Sequence, residues 1–512
     1  MAEEPDETPV DPSPSPFTPR PKRRRGRPFF YGFLALWAAV ALWNLFKPLP
    51  DGMSVRGPIV DTPLNQLQFL SDVTSADAFG APVVRQQIFD SVLKVVGDAR
   101  EYLVVDFFLF NSQRGASIDT KPQRALAVEL RDALLARKRA VPDIRILVLS
   151  DPINDVYGGL PSRDLAALRG VGIDVVTVDL DQLRDSNPIY SAFWRITTKW
   201  WSGDGRGDPW LPNPLDAGPD QVSFGAWARL LNFKADHRKV VIGDDGHGGI
   251  AGIVTSANAH DASSLHSNVG LKLSGGALDA LLESELALAR ESGWKGEWPA
   301  PAAVPTTPAS PESTARVQVL TEGEIRAAIV RNVGGTRVGD SIDIAMFYLS
   351  ERSVIQALIA ASKRGVAVRV LLDPNKDAFG RTKDGIPNRS VATELASASE
   401  GAIKVRWFRT HGEQFHAKLV ALRTANEFWF TLGSANLTRR NLDNFNLEAN
   451  IAASVPLNAQ IAADITTWYD SLWTNIGPPE LEYTSDFGAY ADPAQSTYWL
   501  YRLMEASGLS TF

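Results

Sequence analysis

Short apolar runs alternate with helix-like patterns from about residue 58 to the C-terminus. Short runs of β-branched or aromatic residues bounded by turn residues predict strands, whereas longer periodic stretches predict helices. Because the two kinds of segment alternate, the pattern predicts an α/β fold with a mostly parallel sheet. In the first half the predicted strands are residues 102–110, 144–150, 175–178, 239–242 and 250–255, and the predicted helices are residues 123–138 and 165–168.

The same order of elements returns in the second half, and an Asp-Pro pair ends a predicted strand in each, at Asp151 and at Asp373. Between the halves, the proline-rich residues 299–314 are unsuited to a helix or a central strand, which predicts a connector. We therefore expect lobes at residues 58–298 and 315–480, then a C-terminal extension at 481–512 with an amphipathic helix near 496–506. The second lobe's predicted strands are residues 342–349, 368–372, 418–422 and 428–432, and its predicted helix is residues 353–364.

A charge-free segment at residues 29–46 precedes the lobes. As a helix it would extend about 27 Å, close to the roughly 30 Å hydrocarbon core of a bilayer, which predicts one transmembrane helix. A basic run lies just before it, so the positive-inside bias predicts a cytoplasmic N-terminus and lobes on the periplasmic or extracytoplasmic side. Residues 1–28 then form a disordered cytoplasmic tail that contains the basic run. One alternative for this segment is a cleaved signal peptide, but no small-residue cleavage site follows the apolar residues. The other alternative is a buried core helix.

Composition narrows the class of protein. Of the 512 residues, 44% are hydrophobic and 22% are charged, which is typical of a globular protein and excludes a polytopic membrane protein or a wholly disordered chain. The net charge of -7 argues against nucleic acid as the main partner. The chain has no cysteine, so disulfides, thiolate metal sites and cysteine nucleophiles are excluded.

The first half carries an insertion between Asp151 and His237, a stretch much longer than the one between Asp373 and His416. It is rich in Trp, Tyr and Gly. Amphipathic aromatic rings settle at a bilayer interface, but they also pack a loop against its own domain. Both interpretations stay open at this point.

A His and a Lys stand two positions apart at the start of a predicted strand in each half, as His237 with Lys239 and His416 with Lys418. Alternate residues of a strand face the same side, so each half presents one imidazole and one ammonium group together. Two unrelated buried histidines are the alternative, but the repetition with matched surroundings argues against coincidence.

A second element follows each of these motifs at nearly equal distance. The next predicted strand ends in Ser256 and Asn258 in the first half, and in Ser434 and Asn436 in the second. Hydroxyl and amide groups donate hydrogen bonds and are suited to holding phosphate oxygens without a metal. We therefore expect these four side chains to bind the phosphate of a substrate.

With these motifs the chain resembles the phospholipase D superfamily, whose signature is His-x-Lys, four residues and Asp, followed by a Gly-Ser-x-Asn-type element, all present twice. His237, Lys239 and Asp244 match the first copy in full, whereas Arg423 stands at the Asp position of the second. The resemblance covers residues 60–480. It implies two phospholipase D-type α/β lobes related by pseudo-two-fold symmetry, with Asp244 supporting the fold more than the chemistry.

The resemblance also implies a covalent phosphohistidine, with His237 as nucleophile and His416 as general acid, and the roles reversed when water or an alcohol attacks. The opposite assignment of the two histidines stays open. Glu448 stands where the family carries a carboxylate that orients a catalytic histidine. We expect it beside His416, where it would favour the protonated imidazole.

The first-copy equivalent of Glu448 is Gly270, which leaves Asp261 as the candidate for orienting His237. No metal or cofactor is expected, because two His and two Lys supply the nucleophile, the proton and the positive charge that phosphodiester cleavage needs. Both motifs lie in one chain, so an oligomer is not required.

These motifs imply an enzyme that acts on a phosphodiester. The apolar segment and the insertion favour a phospholipase D-type enzyme that cleaves or transfers the phosphatidyl group of glycerophospholipids, with the bilayer as partner and water or an alcohol as acceptor. One alternative is a phosphatidyltransferase of the cardiolipin synthase type. Others are a membrane-anchored nuclease of the same superfamily and a non-catalytic, membrane-bound binding module.

Overall fold

The computed structural model describes residues 26–77, 81–113, 115, 123–299, 313–378, 381–382, 384–476, 482–510 and 512. Nearly all of the predicted tail and of the predicted connector lies outside the described residues. The helices are α1 Gly26–Phe46, α2 Ile88–Asp98, α3 Leu126–Ala140, α4 Arg163–Arg169, α5 Pro188–Ile196, α6 Lys199–Ser202, α7 Phe224–Leu230, α8 Asp279–Glu291, α9 Gly323–Gly335, α10 Arg352–Lys363, α11 Asn388–Ala398, α12 Arg439–Leu442, α13 Gln460–Thr474 and α14 Gln495–Ser507.

The strands include every one that the sequence predicts, with ends that differ by a few residues. They are β1 Val60–Pro63, β2 Leu67–Ala76, β3 Pro82–Arg85, β4 Tyr102–Phe107, β5 Phe110–Asn111, β6 Arg145–Ser150, β7 Asp174–Thr177, β8 Leu211–Pro212, β9 Gln221–Val222, β10 Lys239–Asp244, β11 Ile250–Thr255, β12 Ala259–His260, β13 Asn268–Ser274, β14 Thr314–Thr321, β15 Ser341–Met346, β16 Ala367–Leu372, β17 Asp377–Ala378, β18 Arg381–Thr382, β19 Lys404–Phe408, β20 Lys418–Arg423, β21 Phe428–Gly433, β22 Ala449–Val455 and β23 Thr484–Asp486.

Two large sheets carry the fold. The first sheet has the order β3-β2-β13-β11-β10-β4-β6-β7, and the second has the order β1-β14-β22-β21-β20-β15-β16-β19-β23. Seven strands follow the same order in both, from β2 to β7 in the first sheet and from β14 to β19 in the second. The repeat read from the sequence is therefore a repeat of sheet topology, while the symmetry that relates the lobes stays a prediction.

Each sheet is mixed, so the expectation of a mostly parallel sheet is wrong. Strands β4, β6 and β7 run parallel, as do β15, β16 and β19, but the pairings among β4, β10, β11, β13 and β2 are antiparallel. The cause is the connection: only the short turn at residues 245–249 joins β10 to β11, and a short turn imposes antiparallel pairing. Helical crossovers, which permit parallel pairing, join the parallel strands of each lobe.

The core lies between the two sheets and on their outer faces. Strands β11 and β13 lie against β20, β21 and β22, and apolar side chains such as Val254, Leu271 and Leu432 are fully buried there. Helices α2 and α3 cover the outer face of the first sheet, and α9, α10 and α11 cover that of the second. This arrangement brings the ends of β10 and β20 close together.

Segments from outside residues 315–480 complete the second sheet. Strand β1, which the prediction placed in the first lobe, pairs with β14 through Val60 and Val317, and β23 from the C-terminal extension pairs with β19. An edge strand supplied from elsewhere in the chain satisfies backbone groups that would otherwise be free. The predicted amphipathic helix is α14, which packs against α11.

Helix α1 contains an apolar segment, Pro28–Phe46, that is long enough to cross a membrane and is only 6% buried within the protein. Its partner is α5 of the Trp-rich insertion, which we define as residues 180–233. In the second lobe the corresponding connection, residues 409–417 between β19 and β20, contains no helix.

Candidate active site

The structure brings the predicted histidines of the two lobes to one place. His237 and His416 line the same cavity, which has a volume of about 570 Å³, and Asn258 and Asn436 line it too. The side-chain oxygens of both asparagines are buried and have no hydrogen-bond partner among the described residues. Each lobe therefore contributes one imidazole and one uncommitted amide to a common space.

A carboxylate of the repeated Asp-Pro pair holds the backbone of each motif. Asp151 accepts a hydrogen bond from the N–H of Asp236 at 2.7 Å, and Asp373 accepts one from the N–H of Phe415 at 2.7 Å. These donors immediately precede the two motif histidines. The role follows from the fold, because each Asp comes directly after a parallel strand, β6 or β16, whose end lies near the start of β10 or β20.

Each motif also pairs with the backbone of the other lobe. The N–H of His237 donates to the carbonyl of Leu447 at 2.9 Å, and the N–H of His416 donates to the carbonyl of Ser267 at 2.8 Å. The residue that follows each of these carbonyls in the chain then lies beside an imidazole of the opposite lobe.

Those following residues are Glu448 and Asn268. Nδ1–H of His237 donates to Oε1 of Glu448 at 2.8 Å, and Nδ1–H of His416 donates to Oδ1 of Asn268 at 3.1 Å. The prediction that Glu448 lies beside His416 is therefore wrong. The spacing of the motifs relates residues within one lobe, whereas the contact between His237 and Glu448 joins the two lobes.

Two acidic residues singled out from the sequence have structural partners. Asp261 accepts a hydrogen bond from the N–H of Ala127 at the start of α3, at 3.0 Å, so it does not orient His237. Asp244 accepts hydrogen bonds of 2.7 to 3.0 Å from the N–H groups of residues 100–102. It thus holds the turn that leads from α2 into β4, which agrees with a supporting role in the fold.

The serines of the second element do not face the cavity. Ser256 is fully buried, and its hydroxyl donates to Oδ1 of Asn268 at 3.0 Å. Ser434 is also buried, and its hydroxyl donates to the carboxylate of Glu448. Asn441 donates to Glu448 as well. The expectation that both serines bind phosphate is therefore wrong, because their hydroxyls are engaged in positioning the partners of the two histidines.

Each lysine lies behind its histidine and against an aromatic ring. Nζ of Lys239 and of Lys418 donates to the carbonyl of the histidine two positions earlier, at 2.7 and 3.0 Å. The rings of Phe108 and Phe347 lie 5.2 and 5.5 Å from these ammonium groups and 4.8 and 5.0 Å from the two imidazoles. The sequence could have identified these two phenylalanines as part of the site, because each directly follows a corresponding strand of the repeat, β4 or β15.

Burial dominates the electrostatics of the site. It lowers the pKa of His237 to about 4, against the opposing effect of Glu448, and lowers the pKa of His416 well below the ordinary value with help from Lys418. Burial also lowers the pKa of Lys239 to about 8 and that of Lys418 well below its usual range. Burial acts to raise the pKa of Glu448, but the charges of His237 and Lys239 outweigh it and hold that pKa below its usual range. Without a bound anion both imidazoles are therefore neutral at pH 7.

A buried ion network joins the lobes directly behind this site. Arg238 donates to Glu285 at 3.2 Å and to Glu322 at 2.8 Å, and all three side chains are fully buried. Glu322 also accepts the N–H of Glu448 at 3.0 Å. Arg238, the residue between His237 and Lys239, thus holds Glu322 in place, and Glu322 in turn holds the backbone N–H of Glu448.

Comparison with protein families gives a match for the second lobe. Residues 335–473 match the family model described as "Cardiolipin synthase, PLD-like domain", which spans the second His-x-Lys motif and Glu448. The second lobe therefore carries a phospholipase D-like domain. No curated protein sequence matches it.

A solved structure extends the likeness in fold to both lobes. The chain is similar in fold to the phosphatidylserine synthase of Haemophilus influenzae, with a TM-score of 0.56 and 12% identity over 92% of this chain and 98% of that chain. It also matches a polyphosphate kinase from Porphyromonas gingivalis (TM-score 0.42, 12% identity, 88% and 56% coverage) and Nuc from Salmonella typhimurium (TM-score 0.26, 19% identity, 33% and 97% coverage). Only the first of these likenesses is close enough to support the fold.

Proposed function

We propose that the protein is a phospholipase D-type enzyme that cleaves or transfers the phosphatidyl group of glycerophospholipids through a phosphohistidine. The observation that carries the proposal is the shared cavity, which receives an imidazole and a free amide from each lobe. A phosphorus atom held there has a nucleophile on one side and a proton donor on the other. The apolar side chains of the same cavity suit a lipid better than a polar phosphodiester.

In the first step, Nε2 of His237 attacks phosphorus and the P–O bond to the head-group alcohol breaks. Nδ1–H of His237 points at Glu448, so Nε2 carries the free lone pair, and the carboxylate stabilises the positive charge that develops on the ring. His416 delivers its Nε2 proton to the departing alcohol oxygen. The phosphate anion, once bound, raises the pKa of His416 and thereby supplies the protonated form that this step needs.

In the second step, His416 takes a proton from water or an acceptor alcohol, whose oxygen attacks phosphorus as the P–N bond to His237 breaks. Phosphatidic acid or a new phosphatidyl ester leaves, and both imidazoles return to their starting protonation. In this proposal the side-chain N–H groups of Asn258 and Asn436, which line the cavity, donate to the non-bridging oxygens in both steps.

The test incubates the purified full-length protein with phosphatidylglycerol, with and without added glycerol or ethanol, and identifies the products by mass spectrometry. Phosphatidic acid or a phosphatidyl ester of the added alcohol is the expected product. His237→Ala and His416→Ala should each abolish turnover, whereas substitution of His247, an exposed histidine in the turn after β10, should leave it unchanged. Activity that persists in both cavity variants would contradict the proposal.

A phosphatidyltransferase of the cardiolipin synthase type is the alternative that the family model favours, and cardiolipin formed from phosphatidylglycerol alone would identify it. Cleavage of DNA with no change in the lipid would identify a nuclease. A protein that binds phospholipid vesicles but changes neither substrate would be the non-catalytic module.

A further inference from the structure

Helix α1 is attached to the insertion by hydrogen bonds as well as by packing. The indole N–H of Trp37 donates to the carbonyl of Ile189 at 3.1 Å, and the N–H of Asp185 donates to the carbonyl of Asn44 at 2.9 Å. At the end of α1, Lys47 donates to the insertion as well. The half of α1 nearer Phe46 and the helix α5 therefore form one structural unit.

The depth of this contact matters if α1 crosses a bilayer. At a rise of about 1.5 Å per residue, Trp37 lies about 14 Å along the helix from Phe46, which is close to half of a hydrocarbon core of roughly 30 Å. A segment that contacts α1 at Trp37 therefore lies within the same leaflet. The contact with α1 thus places the insertion at the membrane.

The outer surface of the insertion fits that environment. Trp200 is 79% exposed and Trp201 is 70% exposed, and the Trp201 ring stacks on the exposed ring of Phe224 with centroids 5.5 Å apart. A loop that packed its aromatic rings against its own domain would bury them. Exposed aromatic clusters of this kind are typical of segments that settle in a bilayer interface.

Two cationic side chains beside this surface are paired, which lowers the cost of placing them near lipid. Lys199 forms an ion pair with Asp181 at 2.7 Å, and Arg195 forms one with Asp185 at 2.9 Å. Asp185 also pairs with the buried Lys234 at 2.5 Å. Since Lys234 lies three positions before His237, this ion pair fixes the insertion relative to the first motif.

The inner surface of the insertion forms part of the cavity wall. Leu231 is partly exposed and also lines the cavity, so the apolar surface continues from the outside to the site. The lining residues from the insertion are Pro214, Leu215, Trp227, Leu230, Leu231 and Phe233.

We propose that the insertion is a membrane-embedded element that enters one leaflet beside α1 and guides the acyl chains of a phospholipid along its inner wall to the histidines. The evidence for the membrane contact is the attachment of the insertion to α1 and its exposed aromatic surface. The acyl-chain path rests on the proposed function, because it assumes a phospholipid substrate.

The absence of cysteine makes single labels straightforward. Trp200→Cys and Trp201→Cys variants of the full-length protein are labelled with a fluorophore and reconstituted into vesicles of phosphatidylcholine and phosphatidylglycerol that contain lipids with nitroxide-bearing acyl chains. The matched control is Val338→Cys, which is 78% exposed just before β15, at the opposite end of that strand from the cavity.

The expected result is loss of most of the fluorescence at positions 200 and 201, with none at 338. Equal quenching at all three positions, or none at 200 and 201, would overturn the membrane contact. Circular dichroism spectra of the labelled variants establish that each one is folded, so that an unfolded variant is not mistaken for one that avoids the bilayer.

A second measurement tests whether the membrane contact delivers phospholipid from the bilayer to the cavity. A Trp200→Ser/Trp201→Ser variant should lose activity towards long-chain phosphatidylglycerol in vesicles but keep it towards a monomeric short-chain phosphatidylglycerol. Equal loss on both substrates would mean that the two rings have a merely structural role and would overturn this delivery. If the label is quenched but the wild type turns over no phospholipid, the proposed function fails and the membrane contact stands. If the wild type turns over phospholipid but the labels stay unquenched, the membrane contact fails and the proposed function stands.

Discussion

The partner of His416 is a neutral amide, whereas the partner of His237 is a carboxylate, and Asn268→Asp tests what this difference does. The substitution preserves the shape of the side chain and places a negative charge 3.1 Å from Nδ1 of His416. The hydroxyl of Ser256 already donates to the same oxygen, so the new carboxylate keeps one hydrogen bond. We expect the pKa of His416 to rise.

The size of the rise follows from two opposing effects. At 3.1 Å and an effective dielectric constant of about 20, the attraction between the two charges is about 5 kcal/mol. Against it stand the burial of the new carboxylate and the loss of the hydrogen bond from Nδ2 of Asn268 to the carbonyl of His266, of 3.0 Å. A net rise of about 2 pKa units is expected, within the range known for a carboxylate partner.

The assay is the pH dependence of kcat/KM for wild type and variant with a phosphatidyl substrate. A general acid must start protonated, so a higher pKa of His416 keeps the enzyme active to higher pH and moves the basic limb up by about 2 units. If His416 is instead the nucleophile, the acidic limb moves up. Asn450→Asp, which adds a carboxylate at a buried asparagine that bonds to no imidazole among the described residues, is the control. A folded, active Asn268→Asp enzyme with neither limb moved would refute the reasoning.

Three further predictions concern the supports of the site. Arg238→Met should lower the free energy of unfolding by about 3–5 kcal/mol in urea titrations, because it leaves buried Glu285 and Glu322 without their cation; a loss below about 1 kcal/mol would contradict this. Ser434→Ala should lower kcat at least about tenfold at unchanged KM, since the hydroxyl supports Glu448 rather than the substrate, and a raised KM alone would restore the phosphate-binding interpretation. His260 lines the cavity, and its Nδ1 lies 2.7 Å from the hydroxyl of Ser263. Burial lowers the pKa of His260 to about 4, so its neutral form stabilises the fold above pH 6.5, and this contribution of up to about 3 kcal/mol is lost as pH falls from 6.5 to 4. His260→Gln should therefore flatten the dependence of unfolding free energy on pH in that window, and an unchanged slope would count against it.

Local patterns were sufficient to predict nine of the strands and four of the residues that line the shared cavity. A His two positions before a Lys at the start of a strand, repeated with an Asn at the end of the next strand, marks two equivalent places in a duplicated fold. The prediction worked because both halves follow the same strand order, and equivalent motifs therefore arrive at equivalent sheet ends. The cavity then brings His237, His416, Asn258 and Asn436 together.

What the sequence could not supply was contact between the lobes. Glu448 was assigned to His416 because the two lie in the same half, yet the bridge between Leu447 and His237 places its carboxylate in the other half. Asn268 escapes prediction because the spacing of the second half points to Gly270. The first half is two residues shorter between Asn258 and β13, so Asn268 takes the structural place of Glu448. The two serines were expected to bind phosphate because the sequence shows their spacing from the asparagines. The sequence does not show the direction in which a side chain points at the end of a strand.

The bonds between the lobes make the two copies mutually dependent. Each histidine takes its tautomer and orientation from a residue that the other copy supplies, so neither copy alone contains a working half-site. A substitution of Asn268 therefore alters the second motif, and one of Glu448 alters the first. A longer loop leaves this exchange intact, as the insertion in the first lobe shows, but a single lobe would lack the residue that orients its histidine unless a second chain supplied it.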